Sequence, residues 1–146
     1  MTQTPLIRLA DPADLDEVHA LDRHLTRDAL AETIRRKQIL LAIVESRCVG
    51  ILRFGWLWDL IPFMNLLRVS PDRRRTGIGR ALVTNWQSRM QKAGCPRVLT
   101  STQADETAQH FYRKLGYRDA GGLVLPGQAL ELFLLKDLTP PSALQT

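Results

Sequence analysis

Two places in this sequence carry residue types at spacings that could do chemistry: the run Arg73-Arg74-Arg75-Thr76-Gly77-Ile78-Gly79-Arg80 and the pair Phe111-Tyr112. In the first, glycines lacking a Cβ let backbone come close to a ligand. If a helix begins at Gly77, its first amides have no internal partners and point out of the end where the dipole favours an anion. Strand, basic loop, Gly-x-Gly and helix is therefore an order that suits a phosphate group. The second place offers a phenol with an ordinary pKa near 10, able to give a proton to a departing sulfur or oxygen.

Neither place identifies its ligand alone. A tight loop entering a helix also produces Gly-x-Gly. The run lacks Gly-Lys-Ser/Thr, which excludes the P-loop nucleotide site. It also lacks a third glycine at dinucleotide spacing and an acidic residue closing a second strand. The net charge of +5 and isoelectric point near 9.8 admit nucleic acid as a partner. Aromatics are not interleaved with the arginines as a single-strand binder requires, so that reading ranks last. Cys48 and Cys95 are too few for a disulfide framework or a metal cluster and read as free thiols in a reducing compartment. No metal site is expected.

The elements around these residues follow from periodicity. Ile7 to Leu9 reads as a strand, and Asp11-Pro12 as an N-cap with proline opening a helix that carries Leu15, Val18 and Leu21. Arg27 to Lys37 reads as a second helix with Leu30 and Ile34 on one face. Ile39 to Val44 and Cys48 to Trp58 form a hairpin across Glu45-Ser46-Arg47. Phe63 to Val69 is a central strand, broken by Ser70-Pro71-Asp72. Gly77 to Ala93 is amphipathic, with Gly94 and Pro96 ending it. Arg97 to Ser101 is a strand and Asp105 to Leu115 a helix stopped by Gly116. Two closing antiparallel strands follow, one from Tyr117 and one over Leu130 to Leu135. Phe63 to Ser101 is a β-α-β unit, which predicts parallel strands inside an otherwise hairpin-built mixed sheet. The class is α/β, with a mixed sheet flanked by helices.

The stretch Val69-Ser70-Pro71-Asp72-Arg73-Arg74-Arg75-Thr76-Gly77-Ile78-Gly79-Arg80-Ala81-Leu82 resembles the coenzyme-A-binding segment of the GNAT superfamily of N-acetyltransferases, whose core is Arg/Gln-x-x-Gly-x-Gly/Ala. Here Arg74, Gly77 and Gly79 meet it. About thirty residues on, Ala108-Gln109-His110-Phe111-Tyr112-Arg113-Lys114-Leu115-Gly116-Tyr117 resembles the family's second signature, Ala-x-x-Phe-Tyr-x-x-x-Gly-Phe/Tyr. The resemblance runs from about Phe63 to Tyr117. The resemblance implies the acyl-CoA N-acyltransferase fold, with its sheet splayed between the strands ending at Val69 and Ser101. It implies acetyl-CoA as co-substrate, with the pantetheine arm paired to backbone at Leu67 and Val69 like an added strand. Arg74, Arg75, Thr76, Gly77, Ile78, Gly79 and Arg80 would then hold the phosphates. Tyr112 occupies the position of the family's general acid. Asp105 stands where members often carry an asparagine that contacts coenzyme or substrate, and a carboxylate there accepts but does not donate. Aspartate is also a good N-cap.

Acetyl transfer to an amine requires a neutral amine, and a lysine-type amine has a pKa near 10.4, so a base or a proton path is needed. Some members place a glutamate on the strand before the phosphate loop. Phe63-Met64-Asn65-Leu66-Leu67-Arg68-Val69 has none. Asp59, just upstream, is the candidate base, directly or through water, although it reads first as a plain loop acid. Asp22 and Glu106 are poorer candidates, read as solvated acids in helical segments. Trp56, Trp58, Phe63 and Met64 are candidates for the acceptor side or for core. A primary amine on a small molecule or a protein is the expected acceptor, and a homodimer stays open. With 146 residues, one domain over 1–138 and a loose tail over 139–146 are expected. No run approaches the roughly 20 apolar residues of a membrane helix, and the cytoplasm is the expected compartment. The rival readings are a non-catalytic acyl-CoA sensor and a basic nucleic-acid module.

Overall fold

A computed structural model of the chain describes residues 4–138. They form strands β1 (Leu6–Leu9), β2 (Ile39–Val44), β3 (Arg47–Leu57), β4 (Ile61–Val69), β5 (Arg97–Gln103), β6 (Arg118–Leu123) and β7 (Glu131–Asp137). The helices are α1 (Leu15–Leu21), α2 (Arg27–Arg35), α3 (Ile78–Lys92) and α4 (Ala108–Lys114). The strands make one mixed sheet in the order β1-β2-β3-β4-β5-β7-β6. The β4–β5 pair is parallel, with Phe63 opposite Leu99 and Met64 opposite Thr100. This is the β-α-β unit expected from the sequence. The expected tail over 139–146 lies outside the described residues. No helix among the described residues is long and apolar enough to cross a membrane.

The described residues pack as two compact units, 4–55 with 65–86, and 56–64 with 87–138. The first unit is built on an apolar cluster of Val18, Leu30, Ile34, Ile39, Leu41 and Ile51. Leu30 and Ile34 share one face of α2, as their spacing requires. The Thr26 hydroxyl caps α2 by accepting from the Ala29 amide at 3.2 Å. A single 3-10 turn, Pro12–Asp14, leads into α1. Asp11 and Asp14 form its capping box. Asp14 also accepts two hydrogen bonds from Arg8, at 2.8 and 3.0 Å.

Asp22 departs from the expectation of a solvated helical acid. It ends α1, is 0% exposed, and pairs with Arg53 of β3 at 2.6 Å. Its other oxygen accepts from the His24 amide at 3.0 Å. A carboxylate with both oxygens committed inside the fold is structural.

In the second unit β5 pairs antiparallel with β7, and β7 with the edge strand β6. Val98, Leu134 and Tyr117 are buried there. The Tyr117 hydroxyl donates to Gln87 Oε1 at 2.8 Å. Helix α4 begins at Ala108, three residues later than Asp105. Gln109 is the reason: its Nε2 donates to the carbonyls of Ala104 and Glu106, at 2.9 and 3.0 Å, and holds residues 104–107 as a turn. Asp105 is exposed in that turn and is not the N-cap, and Glu106 is likewise in the turn and outside the helix.

Candidate active site

The basic loop is shaped by its ends. At its start, the Ser70 amide donates to the Val49 carbonyl at 2.8 Å, which fixes where β4 stops. Pro71–Arg73 make one 3-10 turn. Arg73, first of the three arginines, is drawn to carboxylates: Glu45 at 3.9 Å and Asp72 at 4.0 Å. Arg74 reaches back to the Val69 carbonyl at 3.4 Å, and the Thr76 hydroxyl donates to the Arg73 carbonyl. Arg75 has φ 63° and Gly77 has φ 86°. Successive turns of this kind line up backbone N–H groups as an anion-binding concavity. At Gly77 an added Cβ would meet nothing within 4 Å, so glycine is there for its backbone angle and not for lack of room.

Helix α3 starts at Ile78, and its first backbone bond runs from the Ala81 amide to the Gly77 carbonyl at 3.0 Å. The amides of Ile78, Gly79 and Arg80 precede that ladder and are placed to face an anion. Ile78 is buried and anchors the turn, while Arg74, Arg75 and Arg80 are exposed. Gly50 of β3, which sequence reasoning passed over, makes this seating possible. A Cβ there would stand 3.1 Å from Ile78 Cγ2 and Leu82 Cδ1, and 3.3 Å from the Arg68 carbonyl oxygen. The only sequence signal was a glycine inside an apolar strand.

Tyr112 sits in the second unit, buried on α4, with ring contacts to Phe111 and Tyr117 at centroid distances of 5.2 and 5.6 Å. His110 is exposed, as expected of a surface histidine. Burial pushes the Tyr112 phenol up to about 12, while a hydrogen bond with the Thr100 side chain pulls the other way. The phenol is therefore protonated throughout the neutral range. Thr100 is buried on β5, and its hydroxyl donates to the Met64 carbonyl at 3.0 Å. Helix α4, which carries Tyr112, packs against β5. Sequence reasoning missed Thr100; the available signal was a threonine on the inward face of a strand with no polar partner in sequence.

Asp59 lies elsewhere. With Trp58 it forms the tip of the β3–β4 hairpin, at φ 54° and 58°, a left-handed pair that aspartate tolerates. From Ile61 to Met64 the strand alone covers about 10 Å. Of the four acceptor-side candidates, Met64 is buried and Phe63 packs edge-on against Phe133 at 6.0 Å. Trp56 and Trp58 are 41% and 75% exposed.

Cys48 is a poor nucleophile. Burial pushes the Cys48 thiol up to about 11, and its Sγ donates to the Gly50 carbonyl at 3.5 Å. Burial also raises Cys95. Among the described residues no three His, Cys, Asp or Glu side chains gather to hold a metal ion.

The profile of the acetyltransferase (GNAT) domain matches residues 35–119, more than half of the chain, and the chain belongs to that family of acyltransferases. Its fold is shared with solved N-acetyltransferases. Ard1 from Thermoplasma volcanium superposes with a TM-score of 0.84 over 94% of this chain and 100% of that one, at 18% identity. The ribosomal-protein-S18-alanine N-acetyltransferase from Escherichia coli gives 0.79 over 94% and 96%, at 16% identity. The Paia N-acetyltransferase from Thermoplasma acidophilum, solved in complex with coenzyme A, gives 0.79 over 92% and 99%, also at 16% identity. No curated protein matches the chain in sequence.

Proposed function

We propose that the protein moves the acetyl group of acetyl-CoA to a primary amine, by direct attack while both substrates are bound, and that it does so in the cytoplasm. Arg74, Arg75, Thr76, Gly77, Ile78, Gly79 and Arg80 hold the coenzyme phosphates. Backbone at Leu67 and Val69 takes the pantetheine arm. The parallel β4–β5 ladder carries Phe63 and Met64, and Leu67 and Val69 lie further along β4, outside it. Asp105, exposed ahead of α4, accepts from the coenzyme and does not donate to it.

The observation that carries the reading is a buried, protonated phenol on the helix of the second motif, with the Cys48 thiol pushed up to about 11 by burial. Tyr112 protonates the leaving sulfur. The amine proton leaves by water, with Asp59 as the outer carboxylate and no direct contact to the amine. An uncharged amine on a small molecule or on a protein satisfies this chemistry. Mass spectrometry of the products formed from acetyl-CoA and pooled amines tests it. A mass increase of one acetyl group on an amine is expected, with intersecting initial-rate lines. Parallel lines would overturn direct attack. Coenzyme binding without turnover on any amine would overturn the transferase assignment.

A further inference from the structure

Tyr117 is buried, and its side chain is anchored at both ends. At the near end, Gly116 at φ 95° turns the chain off α4, and the Tyr117 amide donates to the Tyr112 carbonyl at 3.1 Å. At the far end, the Tyr117 hydroxyl donates to Gln87 Oε1 of α3 at 2.8 Å. Between these ends the Tyr117 ring stands 5.6 Å from the Tyr112 ring at 62°, in the edge-on range where aromatic pairs attract. Phe111 also touches Tyr112, at 5.2 Å, but it is the preceding residue of α4 and moves with that helix. Tyr117 lies beyond α4 and is tied to α3. The second signature admits phenylalanine or tyrosine at this place, so packing alone does not call for the hydroxyl.

We propose that Gln87 is a positioning residue for acetyl transfer: it fixes the Tyr117 hydroxyl, which sets the Tyr117 ring, and that ring sets where the Tyr112 phenol stands. This rests on the reading of Tyr112 as general acid. In that step the amine nitrogen bonds to the acetyl carbon and the carbon–sulfur bond breaks. The electron pair stays on sulfur, which takes the Tyr112 proton. The proton lost from nitrogen passes to water, and from water one returns to the phenolate. The acid works only within hydrogen-bond reach of the sulfur, and a displacement of about 1 Å can cost about a hundred-fold in rate. Phenylalanine at 117, or an apolar residue at 87, leaves the ring in the core but frees its far end to tilt. Tyr112 then loses the neighbour that fixes its own tilt. These contacts involve none of the residues that hold the coenzyme phosphates, so the effect falls on the chemical step and not on coenzyme affinity.

The test measures initial rates with acetyl-CoA and an amine acetylated in the pooled-amine experiment. The variants are Gln87→Leu, Gln87→Glu, Tyr117→Phe and the double variant Gln87→Leu/Tyr117→Phe, each with and without Tyr112→Phe. Gln87→Leu and Tyr117→Phe should each lower kcat by about five- to fifty-fold, less than the full cost of a 1 Å displacement, with KM for acetyl-CoA within about two-fold. The double variant should be no slower than the slower single, because one hydrogen bond joins the two residues. Gln87→Glu keeps an oxygen that accepts from the Tyr117 hydroxyl and should recover most of the rate. In the Tyr112→Phe background none of these substitutions should add a loss. Unchanged rates in Gln87→Leu and Tyr117→Phe beside a slow Tyr112→Phe overturn the role of Gln87 alone. So does a Gln87→Glu as slow as Gln87→Leu, a loss carried by KM, or a loss that persists in full without the Tyr112 hydroxyl; each reduces the pair to packing. An unchanged Tyr112→Phe rate overturns the acid itself, and the positioning role with it.

Discussion

A phenol held near 12 keeps its proton across the whole range in which amines lose theirs. The rate should therefore climb with pH as the acceptor deprotonates, with no descending limb from Tyr112 through about pH 10. A pH profile of kcat checks this, and a fall below about pH 9 would point to another acid. Tyr112→Phe should lower kcat by about a hundred-fold or more, leaving coenzyme affinity within about two-fold. Cys48→Ala should keep activity, and Cys48 in the native protein should resist alkylation, measured by mass after iodoacetamide treatment. Tyr112 was legible in the sequence because Phe-Tyr stands inside an intact signature. The Thr100 hydrogen bond was not, because its acceptor, the Met64 carbonyl, lies 36 residues away. Asp59 shows the opposite hazard: an acid beside a strand suggests a base, yet its left-handed turn gives aspartate a sufficient reason to be there.

The first turn of α3 depends on a small set of backbone angles and one close approach. Gly77→Val places a β-branched residue at φ 86°, at a cost of about 1–2 kcal/mol. It should also weaken acetyl-CoA binding, which calorimetry measures. Arg75→Gly separates two roles of one residue. Its backbone sits at φ 63°, so glycine relieves strain and should leave the melting temperature equal or higher. If the guanidinium holds phosphate, coenzyme affinity should nevertheless fall. Gly50→Ala crowds Ile78 and Leu82 and should destabilise by about 1–3 kcal/mol. The course of α3 was readable from its apolar stripe and the Gly94-Pro96 stop. The start of α4 was not, because Asp105 has the residue type of a cap while a side chain four residues on, Gln109, secures the turn instead.

Over the whole molecule, acid sensitivity should be set in part by Asp14. The Arg8 guanidinium holds its carboxyl below the usual value of 3.8. A group lowered in the folded state stabilises above its ordinary pKa, and that contribution is lost as pH falls through the folded value. Asp14→Asn should flatten the acid limb of the stability curve, followed by urea unfolding at several pH values. Asp22→Asn leaves Arg53 buried beside a neutral group and should cost about 3–5 kcal/mol. The succession of elements along the chain and the parallel β-α-β unit were legible because each element carries its own periodicity. The Asp22–Arg53 pair was not, because its two ends lie 31 residues apart and neither position looks buried from local pattern. The tryptophans give this architecture an optical signature. Trp86 is 0% exposed in the first unit, with an indole N–H that has no hydrogen-bond partner, whereas Trp58 is 75% exposed in the second. Emission should split into a blue component that iodide does not reach and a red one that it quenches. The order in which the two disappear during unfolding should report, without any added label, whether the two units melt together.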